Sequence, residues 1–151
     1  MSLVVAVETP RQAEVAALLA LSDSIAQVLY PGEPRRALNP ETLDAPGIHL
    51  LVARREGAAV GCCAVLAGGD GTAELKRMVV MPADRRQGVG QALLQAAEAL
   101  VRAQGAMRLR LEVGIRNSAG EALYRRAGFT DCAPFGAYRA SPISRFLEKR
   151  L

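Results

Sequence analysis

Apolar positions recur along this chain with two periods, and the switches between them mark out its elements. Residues 3–7 are an apolar, largely β-branched run that reads as a first strand. Thr9-Pro10-Arg11-Gln12 then has the form of a helix start. Thr9 can cap, Pro10 suits the first helical position, and Gln12 completes a capping box. Val15, Leu18 and Leu19 keep helical spacing, and Ile25, Val28 and Leu29 renew it after a break near Ser22. Pro31-Gly32-Glu33-Pro34 ends the helical region. Residues 31–46 hold four prolines and no period. Such a stretch either lines a substrate site or is a plain surface connection.

Residues 48–54 and 59–66 read as strands joined by a Glu56-Gly57 turn. Gly68-Gly69-Asp70-Gly71 turns the chain into a fourth strand, residues 72–81, whose alternation places Glu74, Lys76 and Met78 on one face. Beyond Gly88 the period becomes helical, with Val89, Leu93, Ala96, Ala97, Leu100 and Val101 on one side and Gln104-Gly105 as the stop. Residues 107–113 alternate again and put Met107, Leu109, Leu111 and Val113 together. Ser118 with Glu121 makes a capping box for a helix reaching Ala127, and Gly128 fits its C′ position. Residues 129–132 begin a sixth strand and 145–148 suggest a seventh. The order β-α-α-β-β-β-α-β-α-β-β predicts an α/β domain with a mixed, mostly antiparallel sheet.

Composition narrows this picture. At 151 residues, half of them hydrophobic and 23% charged, the chain suits a single globular domain, residues 1–151. The net charge is +4, the basic residues are not interleaved with aromatics, and only six residues are Phe or Tyr. That argues against stacking on nucleic acid. Cys62 and Cys63 are adjacent and Cys132 is distant, so the cysteines read as buried strand thiols, not as a disulfide framework or a metal site. No apolar run approaches 18 residues and no signal-like start is present, so a cytoplasmic protein with no membrane partner is expected.

One stretch carries chemistry. The strand-like run Met78-Val79-Val80-Met81 is stopped by Pro82, the basic loop Asp84-Arg85-Arg86-Gln87 follows, and Gly88-Val89-Gly90 opens a helix. The first amides of a helix have no partner within it and form its positive dipole end. Glycines let a phosphate approach that backbone, and two arginines add charge and bidentate donors. A phosphate-bearing ligand is expected here, in particular a pyrophosphate.

Three pieces together resemble one family. Arg85-Arg86-Gln87-Gly88-Val89-Gly90 resembles the Q/R-x-x-G-x-G/A loop of the GCN5-related N-acetyltransferases (GNAT), and Val80-Met81-Pro82 precedes it as the strand end and proline do there. Leu123-Tyr124-Arg125-Arg126-Ala127-Gly128-Phe129 is similar to the family's LYxxxGF signature, with Asn117 seven residues before the tyrosine. The resemblance implies a GNAT fold, a twisted sheet of about seven strands flanked by about four helices. It implies acetyl-CoA as co-substrate and no metal. It places the pyrophosphate on the backbone of Arg85, Arg86, Gln87, Gly88, Val89 and Gly90, and the pantetheine beside Met78, Val79 and Val80 in a gap between the fourth and fifth strands. A backbone amide there would polarise the acetyl carbonyl. Asn117 would hydrogen-bond the pantetheine or order the splayed strand; the alternative is an ordinary helix cap.

Acetyl transfer to an amine needs a neutral nucleophile, a stabilised oxyanion and a protonated leaving thiolate. The family match suggests Tyr124 for the last, since a phenol with a reference pKa near 10 still holds its proton at neutral pH. Glu112, five residues before Asn117, is spaced as the proposed base of the ribosomal-protein alanine acetyltransferases is; Glu74 lies where other members place theirs, and Lys76 could pair with it. A water chain without a single base is the third possibility. His49, the only histidine, is read as structural. The tail, including Tyr138 and Ser141, looks like the ending of a bacterial small-molecule subgroup. The expected partner is a small-molecule amine. A protein or peptide amine is the alternative acceptor, a CoA-sensing module without turnover the alternative class, and a homodimer is common in the family.

Overall fold

The computed structural model describes residues 2–33 and 39–151. The apolar runs become the strands β1 (Leu3–Val7), β2 (Ile48–Arg55), β3 (Ala58–Ala67), β4 (Thr72–Val80), β5 (Arg108–Gly114), β6 (Thr130–Asp131) and β7 (Ser144–Arg150). The helices are α1 (Ala13–Leu29), α2 (Pro40–Leu43), α3 (Val89–Ala103) and α4 (Ser118–Arg126). One sheet orders the strands β1-β2-β3-β4-β5-β7-β6. Every neighbouring pair is antiparallel except β4–β5, which is parallel and bridged by α3.

The sheet is covered on both faces, which explains the continuous apolar stretches in β2 and β3. On one face Leu93, Leu94, Ala97 and Val101 of α3 pack on Leu51, Ala53, Cys63 and Val65. On the other, Val15, Leu18 and Leu19 of α1 and Leu43 of α2 pack on Leu50, Val52, Cys62 and Ala64. Alternate residues of the same strand thus feed two cores. Helix α3 packs tightly on β3 at Gly61, where an added Cβ would stand 2.9 Å from the Val79 carbonyl oxygen and 3.0 Å from the Val89 side chain. Gly61→Ala should therefore destabilise the protein by about 1–3 kcal/mol. The check is a lower urea midpoint at unchanged m.

Several local expectations give way to long-range contacts. The first helix begins at Ala13, and Gln12 is its extended N-cap without a side-chain capping bond. Arg54 draws Glu8, Gln12 and Glu14 into one ionic cluster, with contacts of 2.9 Å each, and so takes Gln12 out of a capping box. No break occurs at Ser22; its side chain is buried and the helix runs through it, because helix propensity is a weak term beside packing. Residues 31–46 hold the short helix α2, whose cap Asn39 exchanges hydrogen bonds with Thr42 (2.9 and 3.0 Å); residues 34–38 lie outside the described residues. Met107 precedes its strand and is 66% exposed, so it does not join Leu109, Leu111 and Val113 inside. Asn117, not Ser118, caps α4, with its Oδ1 accepting from the Gly120 amide at 3.0 Å. Glu121 turns instead to Arg125 and Arg145.

One irregularity matters for the site. Cys62 pairs with Val79 and Ala64 with Lys76, so Cys63 alone opposes both Arg77 and Met78. This is a β-bulge, with Arg77 at φ +58°. Glu74 and Lys76 stay on the α1 face, and Arg77 joins them by pairing with Asp23 of α1. Met78 and Val80 pass to the α3 face and Val79 to the α1 face. Strict alternation would have left Met78 beside Glu74 and Lys76; the extra residue moves it through the sheet.

Candidate active site

The parallel ladder between β4 and β5 is short. It joins Thr72 to Arg108, Ala73 to Leu109, Glu74 to Arg110 and Leu75 to Leu111, and then stops. Both strands continue, β4 to Val80 and β5 to Gly114, without pairing to each other. A cleft of about 1530 Å³ opens between and around them. Pockets for a single small ligand usually hold roughly 300–1,000 Å³, so this one has room for a long ligand and a second molecule together.

At one end the cleft meets the basic loop. Pro82–Asp84 makes a single 3-10 turn, Arg86 sits at φ +61°, and Gly88 caps α3 at φ +81°. No side chain caps the helix and its first turn holds no acid. The α3 amides are thus available to an anion. Arg85 and Arg86 line the cleft, and neither side chain has an ionic or hydrogen-bond partner among the described residues. Asp84 is neutralised by Arg55 at 2.9 Å. The Gln87 side chain accepts from Arg55 at 2.8 Å and donates to the Ala83 carbonyl at 3.2 Å, so it braces the loop and does not line the cleft. Gly90 lies where α3 crosses α4; a Cβ there would stand 3.1 Å from Leu123.

The middle of the cleft crosses the sheet. Met78, Val79 and Val80 line it along the unpaired edge of β4. Tyr124 enters from the α3 face, 6% exposed, with its ring 5.9 Å from that of Phe129. Burial pushes its phenol well above the ordinary value near 10, and the nearby Glu112 acts in the same direction. It is a neutral O–H donor at any physiological pH. Asn117 also lines the cleft, but its Oδ1 is committed to the α4 cap, which leaves its amide N–H groups to offer.

Both glutamates lie on the α1 face. Glu74 sits within the paired part of the ladder, accepting from Tyr138 Oη at 2.6 Å with Lys76 Nζ at 3.6 Å. Glu112 lies one residue beyond the last pair, in the opened part, and accepts from Ser144 Oγ at 2.6 Å. His49 does not line the cleft; its ring is 3.5 Å from the Gln104 amide. Cys62 and Cys63 are buried strand thiols, Cys62 pushed up to about 12 by burial. Two groups that sequence reasoning missed, Tyr30 and Arg116, line the α1 side. No sequence pattern marked them; their closeness shows only in the fold, where a Cβ at Gly114 would overlap the Tyr30 hydroxyl.

Comparison with known proteins agrees with this geometry. The sequence profile of the acetyltransferase (GNAT) family matches residues 15–129. The chain belongs to the GNAT acetyltransferase family. The IAA acetyltransferase of Azospirillum brasilense is 42% identical over 148 residues, which span 97% of each chain. A Klebsiella pneumoniae protein described provisionally as an acyl-CoA N-acyltransferase superposes with a TM-score of 0.84 at 35% identity, covering 99% of this chain and 97% of the other. The PaiA N-acetyltransferase of Thermoplasma acidophilum, solved in complex with coenzyme A, shares the fold with a TM-score of 0.78 at 20% identity over the whole of both chains. The sheet with its four flanking helices is the GNAT fold, and the protein is an acyl-CoA-dependent N-acyltransferase of that family. No helix among the described residues is long and apolar enough to cross a membrane.

Proposed function

We propose that residues 1–151 form one catalytic domain that transfers the acetyl group of acetyl-CoA to the primary amine of a small metabolite, by direct attack in a ternary complex. The observation that carries this reading is the opened β4–β5 ladder, with uncapped helix amides at one end and Tyr124 and Glu112 facing the same gap. The donor set fits acetyl-CoA. Backbone amides around Gly88, Val89 and Gly90, with the arginine side chains of Arg85 and Arg86, suit its pyrophosphate. The loose edge at Met78, Val79 and Val80 suits a chain of amides, and Asn117 adds donors. Acetyl-CoA supplies the acyl group as an activated thioester.

The chain's own residues supply the rest. Glu112 takes the proton that the attacking amine releases; its place in the opened part of the gap favours it over Glu74, which lies in the paired part and is already met by Lys76. An amide of the 78–80 edge meets the negative charge that develops on the carbonyl oxygen. Tyr124 gives its proton to the departing sulfur, and solvent restores it. A covalent cysteine route finds no support, because Cys62 and Cys63 are buried, protonated and outside the cleft. The name of the Azospirillum relative points to a small acceptor.

The test is release of free CoA thiol across a panel of amines, amino acids, polyamines and peptides. Turnover with small amines is expected. Release with peptides alone would move the acceptor to a protein terminus. Tight CoA binding with no amine-dependent release would make the domain a sensor.

A further inference from the structure

The charges on the acceptor side of the cleft can be accounted for pair by pair. Glu74 is met by Lys76 Nζ at 3.6 Å and by the Tyr138 hydroxyl at 2.6 Å, and Lys76 also lies 5.1 Å over the Tyr138 ring. Arg77 is met by Asp23. Near the end of β5 two further lining groups have no ionic partner among the described residues, and they have opposite sign. Glu112 is half-buried, and its partner is the neutral hydroxyl of Ser144. Arg116 donates to the Leu29 carbonyl and stacks on the Tyr30 ring with its guanidinium 5.5 Å from the centroid, both neutral partners. No ion pair joins Glu112 to Arg116 or to any other described residue. Glu33, exposed on the turn after α1, also lines the cleft and has no ionic partner among the described residues.

Both groups line the cleft. Glu112 is near the end of β5 and Arg116 on the turn that follows, with Gly114 between them contributing no side chain. Tyr30 occupies the space above that glycine and donates nothing charged; its hydroxyl accepts from the Arg116 backbone amide at 2.8 Å. Anchoring by Leu29 and Tyr30 fixes the guanidinium while leaving further N–H donors at its edge. A half-buried carboxylate whose partner is neutral suits a cation, and a guanidinium fork suits a carboxylate.

Resting on the acetyl-transfer reading above, we propose that the acceptor carries a carboxylate as well as its primary amine, the ammonium entering against Glu112 and the carboxylate against Arg116. The acceptor class is therefore amino-acid-like. A simple amine would leave Arg116 unmet. A polyamine would bring a second cation towards it. A peptide terminus would present an amide where the carboxylate belongs.

The experiment compares three matched acceptors: phenylalanine, phenylalanine amide and phenethylamine. A second set, methionine with its amide and its decarboxylated amine, covers a different side chain. Wild-type kcat/KM should favour the amino acids by about tenfold or more, which is about 1.4 kcal/mol. Arg116→Ala should lower the ratio of amino acid to amine about tenfold, through KM and not kcat, and Arg116→Lys should restore part of it. Using the ratio removes any general loss from loosening α1. Equal kcat/KM for the three acceptors, or a ratio unmoved by Arg116→Ala, would overturn the proposal. If no acceptor releases thiol, the acetyl-transfer reading fails separately. Calorimetry of the same acceptors on CoA-loaded protein then decides: amino acids must bind more tightly than their amides, and Arg116→Ala must erase the difference, or the proposal falls.

Discussion

Gly88→Glu should raise the Kd for coenzyme A about a hundredfold or more while leaving the protein folded. A hundredfold is about 2.7 kcal/mol; two electrostatic effects add towards it, while backbone strain falls on folding. Gly88 is the N-cap of α3 at φ +81°, a conformation that costs a residue with a Cβ about 1–2 kcal/mol. A carboxylate at that position can accept from the α3 amides and so occupy the donors that a phosphate would use. Its charge also opposes the ligand's and partly neutralises Arg85 and Arg86, which line the same part of the cleft. Steric overlap is absent, since a Cβ at Gly88 meets nothing within 4 Å. Gly88→Ala therefore separates the causes. It carries the same backbone strain without the charge, and should bind coenzyme A within a few-fold of wild type. Both variants should lose only a few degrees in Tm, because about 1 kcal/mol moves a chain of this size by roughly 2–4 °C. Tight binding by Gly88→Glu in calorimetry would mean that the ligand's phosphates lie elsewhere.

Tyr124→Phe is expected to lower kcat about tenfold or more with the affinity for coenzyme A nearly unchanged. Positioned proton transfer typically contributes about 10²–10⁴-fold; water in the cleft can substitute for part of that. The ring keeps its packing against Phe129, so the loss belongs to the hydroxyl. The pH dependence carries the sign of the burial. A phenol pushed above its ordinary value ionises only at higher pH, so Tyr124 stays a donor up to at least about pH 10. An alkaline loss of activity that sets in well below that pH must come from another group and should persist in Tyr124→Phe. Unchanged turnover in the variant would remove Tyr124 from the reaction.

What could be read from the sequence was what is written locally. The runs at Leu3–Val7, Ile48–Arg55 and Ala58–Ala67 become strands because continuous apolar, β-branched stretches fit a sheet covered on both faces. The glycine turn before α3 declares itself through composition alone, and the structure leaves its amides free as the pattern requires. The misreadings have another origin. Gln12 is pulled from its capping box by Arg54, forty-two residues away. The Arg77 bulge depends on how many residues β3 sets opposite β4, which no window along β4 contains. Gln87 sits in the loop motif, yet its side chain answers to Arg55. In the site, Tyr124, Glu74 and Glu112 came from the family resemblance, and all three line the cleft. Tyr30 and Arg116 were not legible, because the end of α1 meets the end of β5 only in three dimensions.

The four-pair ladder between β4 and β5 also bears on the stability of the whole molecule. Beyond Leu75 and Leu111 the two halves of the sheet share no backbone pairing, and the polar groups along both edges are left to solvent. A bound chain of amides that pairs with those edges would act as the missing length of strand. Binding and folding then draw on the same contacts, and ligand at a hundred times its Kd adds about 2.7 kcal/mol to the folded state. On the proposed binding mode the sheet would be completed by a substrate and opened again at every turnover, and the unliganded enzyme would be the softer form.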